Sequence, residues 1–258
     1  MKRRHSREGG NPLAIGEIAG QARNDDYNSF FFRIFVVLES LKKTKNMRTK
    51  VLTKAEQQAL TPDAVIEILK KGNGEFVRGE LTVRNNLEII KDSANGQNPM
   101  AVILSCLDSR VPVEDVFHAY LGDLFVGRVA GNFVNDDFLG SMEFACAAAG
   151  AKLIMVLGHN HCGAVVHAIN GTELGNITGM LSNIQPASAD TKATYEGEQS
   201  TDCVAFVDAV AIKNVEMNIQ KIREKSPILA EMEKKGDIKI IGGYYDLATG
   251  KVDFFENM

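Results

Sequence analysis

Two short segments of the sequence carry side chains that can hold a metal ion. Residues 106–110 read CLDSR, and residues 159–162 read HNHC. Two thiolates and one imidazole form a ligand set that suits Zn²⁺ and leaves a fourth tetrahedral position for another ligand. The alternative is that Cys106 and Cys162 are small buried apolar residues. The spacing of His159 and Asp108 relative to these cysteines favours a metal site.

Asp108 and Arg110 decide between a structural and a catalytic metal site. A structural site gains little from a carboxylate two residues after a ligand. At a catalytic site, Arg110 can hold Asp108 off the metal through a bidentate salt bridge, which leaves the fourth position to water. If that pair breaks, Asp108 can itself bind the metal and close the site. The pattern therefore favours catalysis, with Asp108 as a conditional fourth ligand.

The elements that position these segments are short apolar runs, which are typical of buried strands. Both metal-binding segments directly follow such a run. In an open parallel sheet, ligands bind at the carboxyl ends of the strands, so the two segments can converge there although they are far apart in sequence. The predicted strands, each covered on both faces, are Met100–Leu104, Leu124–Val129, Leu153–Leu157 and Ile238–Ile241.

Helical patterns alternate with these strands, which predicts an α/β fold with a mostly parallel central sheet flanked by helices. Residues 170–201 are polar with weak periodicity and are expected to form a loop or insertion, and residues 244–255 read as a terminal hairpin. The predicted helices are one that begins at Thr61-Pro62 and stops at Gly72, Phe138–Ala149, one opening near Cys162, Val204–Glu224, and one capped by Ser226 that ends at Gly236.

The composition excludes several classes of protein. With 258 residues, 45% of them hydrophobic, the chain is not disordered or a coiled coil. A net charge of −4 provides no basic field for nucleic acid. The sequence lacks a run of about 20 apolar residues, so no membrane association is expected. Four cysteines are too few for a disulfide framework and indicate a reducing compartment, so we expect a cytoplasmic protein.

The first 46 residues differ from the rest of the chain. They begin with a basic cluster, and their one apolar stretch, residues 30–38, is interrupted by Arg33. This pattern fits neither a signal peptide nor a spanning helix. We predict a disordered or untranslated extension over residues 1–46 and one zinc domain over residues 47–258, with Met47 as an alternative start. A surface or membrane-associating helix at 30–41 is the other interpretation.

Together, the motifs give the sequence a recognisable resemblance. CLDSR, GHNHCG, LTPDAVIEILKKGN at 60–73, GDLFVGRVAGNFV at 122–134 and YDLATGKV at 245–252 resemble the bacterial β-class carbonic anhydrases. The resemblance implies zinc on Cys106, His159 and Cys162, with Asp108 and Arg110 as a catalytic dyad. It also implies reversible hydration of CO₂ to bicarbonate and a proton through zinc-bound hydroxide.

The resemblance extends to the substrate pocket and the assembly. Gln97 stands where plant-type members carry an active-site glutamine, and Phe125 where they have a pocket phenylalanine. Phe144 stands where many members have a tyrosine, which removes a hydroxyl group but keeps an apolar wall. A homodimer or a dimer-based tetramer is implied, in which Gln97 reaches the neighbour's site.

Two other functions fit parts of this pattern. A relative that hydrolyses CS₂ or COS on the same site differs mainly in access to the pocket. A zinc-binding assembly protein without catalytic activity is disfavoured because Asp108, Arg110 and Gln97 are all present. Among the remaining residues, His161 is interpreted as a loop histidine or an outer proton relay, His118 and His167 as surface or helix residues, Cys146 as core packing, and Arg128 as a pocket residue or the partner of a carboxylate.

Overall fold

The computed structural model describes residues 50–82 and 86–258. The predicted N-terminal extension lies outside these ranges. Within them, no helix combines the length and the apolar character needed to cross a membrane.

One five-stranded sheet forms the centre of the described chain. Its spatial order is β2-β1-β3-β4-β5; the first four strands are parallel, and β5 pairs antiparallel with β4. The mostly parallel sheet and the terminal hairpin are confirmed. The strands are β1 (Ala101–Ser105), β2 (Leu124–Arg128), β3 (Leu153–His159), β4 (Lys239–Tyr245) and β5 (Val252–Phe255).

The burial of the strands follows their place in the sheet. Every residue of β1 and β3 is buried, as their continuous apolar runs predict. The edge strand β2 is different, because its first four residues are only half-buried and Arg128 is exposed. The expectation that both faces of β2 are covered is therefore wrong. An edge strand has a neighbour on one side only, so an apolar sequence does not bury it fully.

Helices alternate with the strands along the chain and pack against the sheet. The longest, α9 (Val204–Lys225), packs on β3 and β4 and buries Val215 and Ile219 in one cluster with Ile154 of β3. The described helices are α1 (Lys54–Ala59), α2 (Pro62–Val77), α3 (Asn86–Ser93), α4 (Val113–Val116), α5 (Asp136–Glu143), α6 (Gly163–Ile169), α7 (Gly175–Leu181), α8 (Gln185–Thr194), α9 (Val204–Lys225) and α10 (Pro227–Lys235); a π-helical segment, Phe144–Ala148, continues α5.

Helix ends with capping residues were well predicted. The Ser226 hydroxyl accepts a hydrogen bond from the Leu229 amide, Pro227 occupies the first turn of α10, and Gly236 ends the helix in the left-handed conformation. The prediction of a loop or insertion at residues 170–201 is wrong, because α7 and α8 lie in this segment. These helices begin after Leu174 and Ile184, whose side chains cannot cap a helix, so the start signal of a capping residue is absent from both. Pro186 in the first turn of α8 is a start signal that the prediction missed.

Helix α2 also differs from its prediction, because it passes through Gly72 and ends at Val77. Gly72 is required by a close approach. A Cβ atom at this position would lie 1.9 Å from the carbonyl oxygen of Phe117. The glycine that resembles a stop signal is a packing residue, where α2 meets the backbone after α4.

Replacing Gly72 with alanine is therefore expected to lower the free energy of unfolding by about 1–3 kcal/mol or more, because the backbone of Phe117 must shift. Gly74→Ala is the matched control in the same helix. Its Cβ would meet only the flexible end of Arg78, so it is expected to stabilise the helix by up to about 1 kcal/mol. Urea denaturation measures both changes, and equal stabilities for the two variants would contradict the packing role.

Candidate metal centre

The carboxyl ends of two neighbouring strands bring the three predicted ligands together. Cys106 directly follows β1, His159 is the last residue of β3, and Cys162 follows three residues later. The ligand atoms of these residues all lie within 4.8 Å of one another, and the two sulfurs are 3.9 Å apart. All three side chains are buried. Residues from distant parts of the sequence thus form one compact donor set.

The imidazole of His159 is oriented for a metal ion. Its Nδ1 lies 2.7 Å from the carbonyl oxygen of Asn160, and since a carbonyl only accepts, Nδ1 carries the proton. Nε2 therefore presents a lone pair. Among the described residues it is buried without a hydrogen-bond partner. A buried unpaired nitrogen beside two sulfurs fits a soft or borderline divalent cation.

The surroundings of the two sulfurs favour negative charge. The Gly131 amide donates to Cys106 Sγ at 3.3 Å. Gly131 has a φ of +84°, and a Cβ there would lie 2.2 Å from the Ile184 side chain. Any other residue would strain the backbone that positions this amide. The neighbouring Cys162 thiol lowers the pKa of Cys106, with smaller contributions from His159 and from the backbone amides of Gly131 and Asp108. The resulting Cys106 thiolate, followed by burial, raises the pKa of Cys162. A bound dication favours both thiolates.

Asp108 lies beside the donor set and is held by Arg110. The Arg110 side chain donates from Nε to Oδ1 at 2.9 Å and from Nη2 to Oδ2 at 2.7 Å, and its backbone amide donates to Oδ1. This pairing lowers the pKa of Asp108 to about 2. Asp108 Oδ2 is 4.0 Å from His159 Nε2. Asp108 is therefore bound to Arg110, and its charged carboxylate faces the donor set without contacting Nε2.

Arg128 has a role that the sequence did not indicate. Within the described ranges its side chain forms no ion pair with a carboxylate, but donates to the backbone carbonyls of Cys106, at 2.9 Å, and Asp108. The register of β2 on β1 explains this, because Arg128 lies opposite Ser105, the residue before Cys106. Arg128 thus fixes the loop that carries both a ligand and the carboxylate.

Gln97, Phe125 and Phe144 lie away from the donor set of their own chain. Gln97 is exposed and precedes β1, whereas Cys106 follows it, so the five-residue strand, about 16 Å long, separates them. The rings of Phe125 and Phe144 are 6.4 Å apart and line a cavity of about 620 Å³ along β1 and β2. The sequence identified these residue types but not their separation.

The remaining histidines and cysteines have diverse environments. His161 is exposed, and His167 is exposed on α6. The expectation of a surface position for His118 is wrong, because its side chain is 8% exposed and bonds to Glu75 and Thr82. Cys146 is core packing, as expected, and burial raises the pKa of its thiol to about 12.

Comparisons with known proteins agree with this geometry. The family model described as carbonic anhydrase matches residues 101–252, which hold the whole donor set. A carbonic anhydrase of Mycolicibacterium smegmatis is 32% identical over 194 residues, covering 74% of this chain and 92% of the relative. Carbonic anhydrase 2 of Mycobacterium tuberculosis is also 32% identical, over 74% of this chain and 91% of its own length.

Solved structures share the fold at lower identity. A tetrameric β-carbonic anhydrase of Sordaria macrospora superposes with a TM-score of 0.58 at 23% identity, over 74% of this chain and 96% of that one. The Coccomyxa β-carbonic anhydrase, solved with acetazolamide, gives 0.58 at 24% identity, over 74% and 84%. The chain therefore belongs to the carbonic anhydrase family and is a carbonic anhydrase enzyme with the β-class fold.

Proposed function

We propose that this enzyme binds one zinc ion per chain and uses it for the reversible hydration of CO₂ to bicarbonate and a proton. The observation that carries the proposal is the buried Cys106-His159-Cys162 donor set, in which His159 Nε2 bears a lone pair because Nδ1 carries the proton. Two sulfurs and one nitrogen match the donors of zinc sites that keep an open position.

A zinc ion held by these three residues would supply Lewis acidity, which lowers the pKa of a water molecule to about 7. The chain's own residues then orient the reactants. Asp108 carries a full negative charge near neutral pH, and its pairing with Arg110, which lowers its pKa to about 2, keeps it charged into acid pH. Its carboxylate accepts a hydrogen bond from the attacking water and directs the oxygen lone pair towards CO₂. Arg110, which holds both carboxylate oxygens, would keep Asp108 from becoming a metal ligand.

Removing one ligand is expected to empty the site. Wild-type protein should contain about one zinc per chain by elemental analysis, and Cys106→Ser or Cys162→Ser should lose it together with CO₂ hydration. Cys203→Ser is the matched control, since Cys203 is half-buried outside the donor set. A wild-type site filled by another metal, or full zinc retention in Cys106→Ser, would contradict this assignment.

Asp108→Asn is expected to retain zinc but lose activity by about 10²–10⁴-fold, the usual effect of removing an orienting or proton-accepting group. The amide keeps the shape of the side chain but lacks its charge. Arg110→Lys keeps a positive charge without the two-point contact, so a smaller loss is expected. Stopped-flow CO₂ hydration measures both. Near-normal turnover by Asp108→Asn at full zinc occupancy would refute the role.

We further propose that a second copy of the chain completes the substrate pocket, in a homodimer or a dimer-based tetramer. Gln97 lies at the other end of β1 from its own donor set, so another chain must bring it near the metal. Phe144 is 60% exposed, and β2 is a half-buried edge strand. Such an exposed aromatic beside an open strand edge suits burial against a partner.

Complementation between two defective chains tests this assembly. A mixed dimer of Gln97→Ala and Cys106→Ser has one site with both an intact donor set and an intact partner glutamine. Purified through two different tags, it should recover about half of wild-type activity, since one of two symmetric sites is complete. Pairing Gln97→Ala with a chain carrying both substitutions is the control and should show only the residual activity of one Gln97→Ala site, because neither chain supplies the glutamine to the intact donor set. Equal activity of the two mixed dimers would contradict the shared site.

We also propose that residues 47–258 constitute the functional domain and that the protein acts in a reducing compartment such as the cytoplasm. Every residue proposed above for the metal site and the substrate pocket lies from residue 97 onward. All four cysteines are free thiols, and oxidation of the two ligand cysteines would remove two of the three metal donors.

A further inference from the structure

The turn that joins β4 to β5 is wound around one carboxylate. Asp246 Oδ1 accepts hydrogen bonds from the amides of Ala248 and Thr249, at 2.9 and 2.7 Å, and from the Thr249 hydroxyl at 2.8 Å. These hydrogen bonds lower the pKa of Asp246, and the one from the Thr249 hydroxyl has the largest effect. The turn, which belongs to the YDLATGKV motif, therefore has a fixed shape and a charged centre.

The other oxygen of Asp246 faces the metal-binding loop. Asn160, which is 8% exposed, donates from Nδ2 to Asp246 Oδ2 at 3.0 Å and accepts at Oδ1 from the Leu247 amide at 2.8 Å. Its backbone amide also donates to the Tyr245 carbonyl. An amide side chain, with a donor and an acceptor side by side, satisfies both partners at once.

The backbone carbonyl of the same residue fixes the His159 ring. The carbonyl oxygen accepts a hydrogen bond from the Nδ1–H group, and this bond sets both the tautomer of the ring and the direction of Nε2. Helix α2 braces the far side of the turn, because buried Asn73 donates to the Gly250 carbonyl at 2.8 Å and accepts from the Val252 amide at 2.9 Å. A continuous path of hydrogen bonds thus runs from α2 through the turn to a metal ligand.

We propose that Asn160 and Asp246 are positioning residues for the metal centre. The turn holds the Asn160 side chain, and the Asn160 carbonyl holds His159 with its lone pair directed into the donor set. This inference rests on the proposed metal site. Partners that orient a ligating histidine typically contribute 10- to 100-fold, as an order of magnitude, to metal affinity.

The donor and acceptor pattern can be reversed without changing the net charge. Asn160→Asp sets two carboxylates against each other, and Asp246→Asn sets two amide NH₂ groups against each other. In the double variant Asn160→Asp/Asp246→Asn the donors and acceptors match again, because residue 246 keeps an oxygen for Thr249 and gains a donor for residue 160. Asp253→Asn is the control, since Asp253 lies exposed on the same hairpin and pairs with Lys251.

The measurement is the rate at which zinc leaves the folded protein for a coloured chelator. Each single variant is expected to release zinc about 10- to 100-fold faster than wild type, while the double variant recovers most of the loss and Asp253→Asn behaves as wild type. The absorption spectrum of the cobalt-substituted protein should change in the single variants and return in the double variant.

Three results would overturn the inference. The first is release at the wild-type rate in both single variants. The second is faster release that the double variant does not reverse. The third is faster release matched by an equal loss of unfolding free energy in the metal-free protein, which indicates general destabilisation. Failure of the wild-type protein to bind zinc would instead refute the proposed function, so the two failures are distinguishable.

Discussion

The parallel pairing of β1 with β3 is the constraint on which the rest of the site depends. Ser105 lies opposite Leu157, so the residue after β1 and the last residue of β3 emerge at the same edge of the sheet. Both strands are completely buried, and their backbone hydrogen bonds are shielded from water. Sliding one strand by a residue would move a ligand by about 3.3 Å and turn its side chain to the other face. The hydrophobic pattern of the core therefore fixes the geometry of a polar site.

Side-chain amides hold the loops after the strands in fixed positions. Asn214 on α9 donates to the carbonyl of Gly131, whose amide faces Cys106 Sγ. Asn218, one turn further, accepts from the Val134 amide and donates back to Asn214. Buried backbone groups must be paired, and an amide side chain pairs a loop that no strand can reach. Each amide also ties its loop to a rigid helix, which limits the motion of the ligand beside it.

How far the sequence predicted the fold depends on how local each signal is. The strands were identified from their apolar runs, and α10 from Ser226 and Gly236, because these signals act within a few residues. The path of α2 through Gly72 depends on the carbonyl of Phe117, which is distant in sequence. Edge position likewise depends on which strands become neighbours, so the partial exposure of β2 was not predictable from its composition.

The same distinction separates the two halves of the proposed active site. Cys106, His159 and Cys162 lie at or just after the carboxyl ends of two strands of one chain, so strand order alone predicts their convergence. In the proposed assembly, Gln97 and Phe144 come near the metal only through a partner, and a single chain contains no signal for that arrangement except their exposure or residue type. On the proposed assembly, the sheet buries the donor set at one end and leaves aromatic surface for association along its edge. Subunit association and turnover are then linked, because a separated chain keeps its metal ligands but loses part of its pocket.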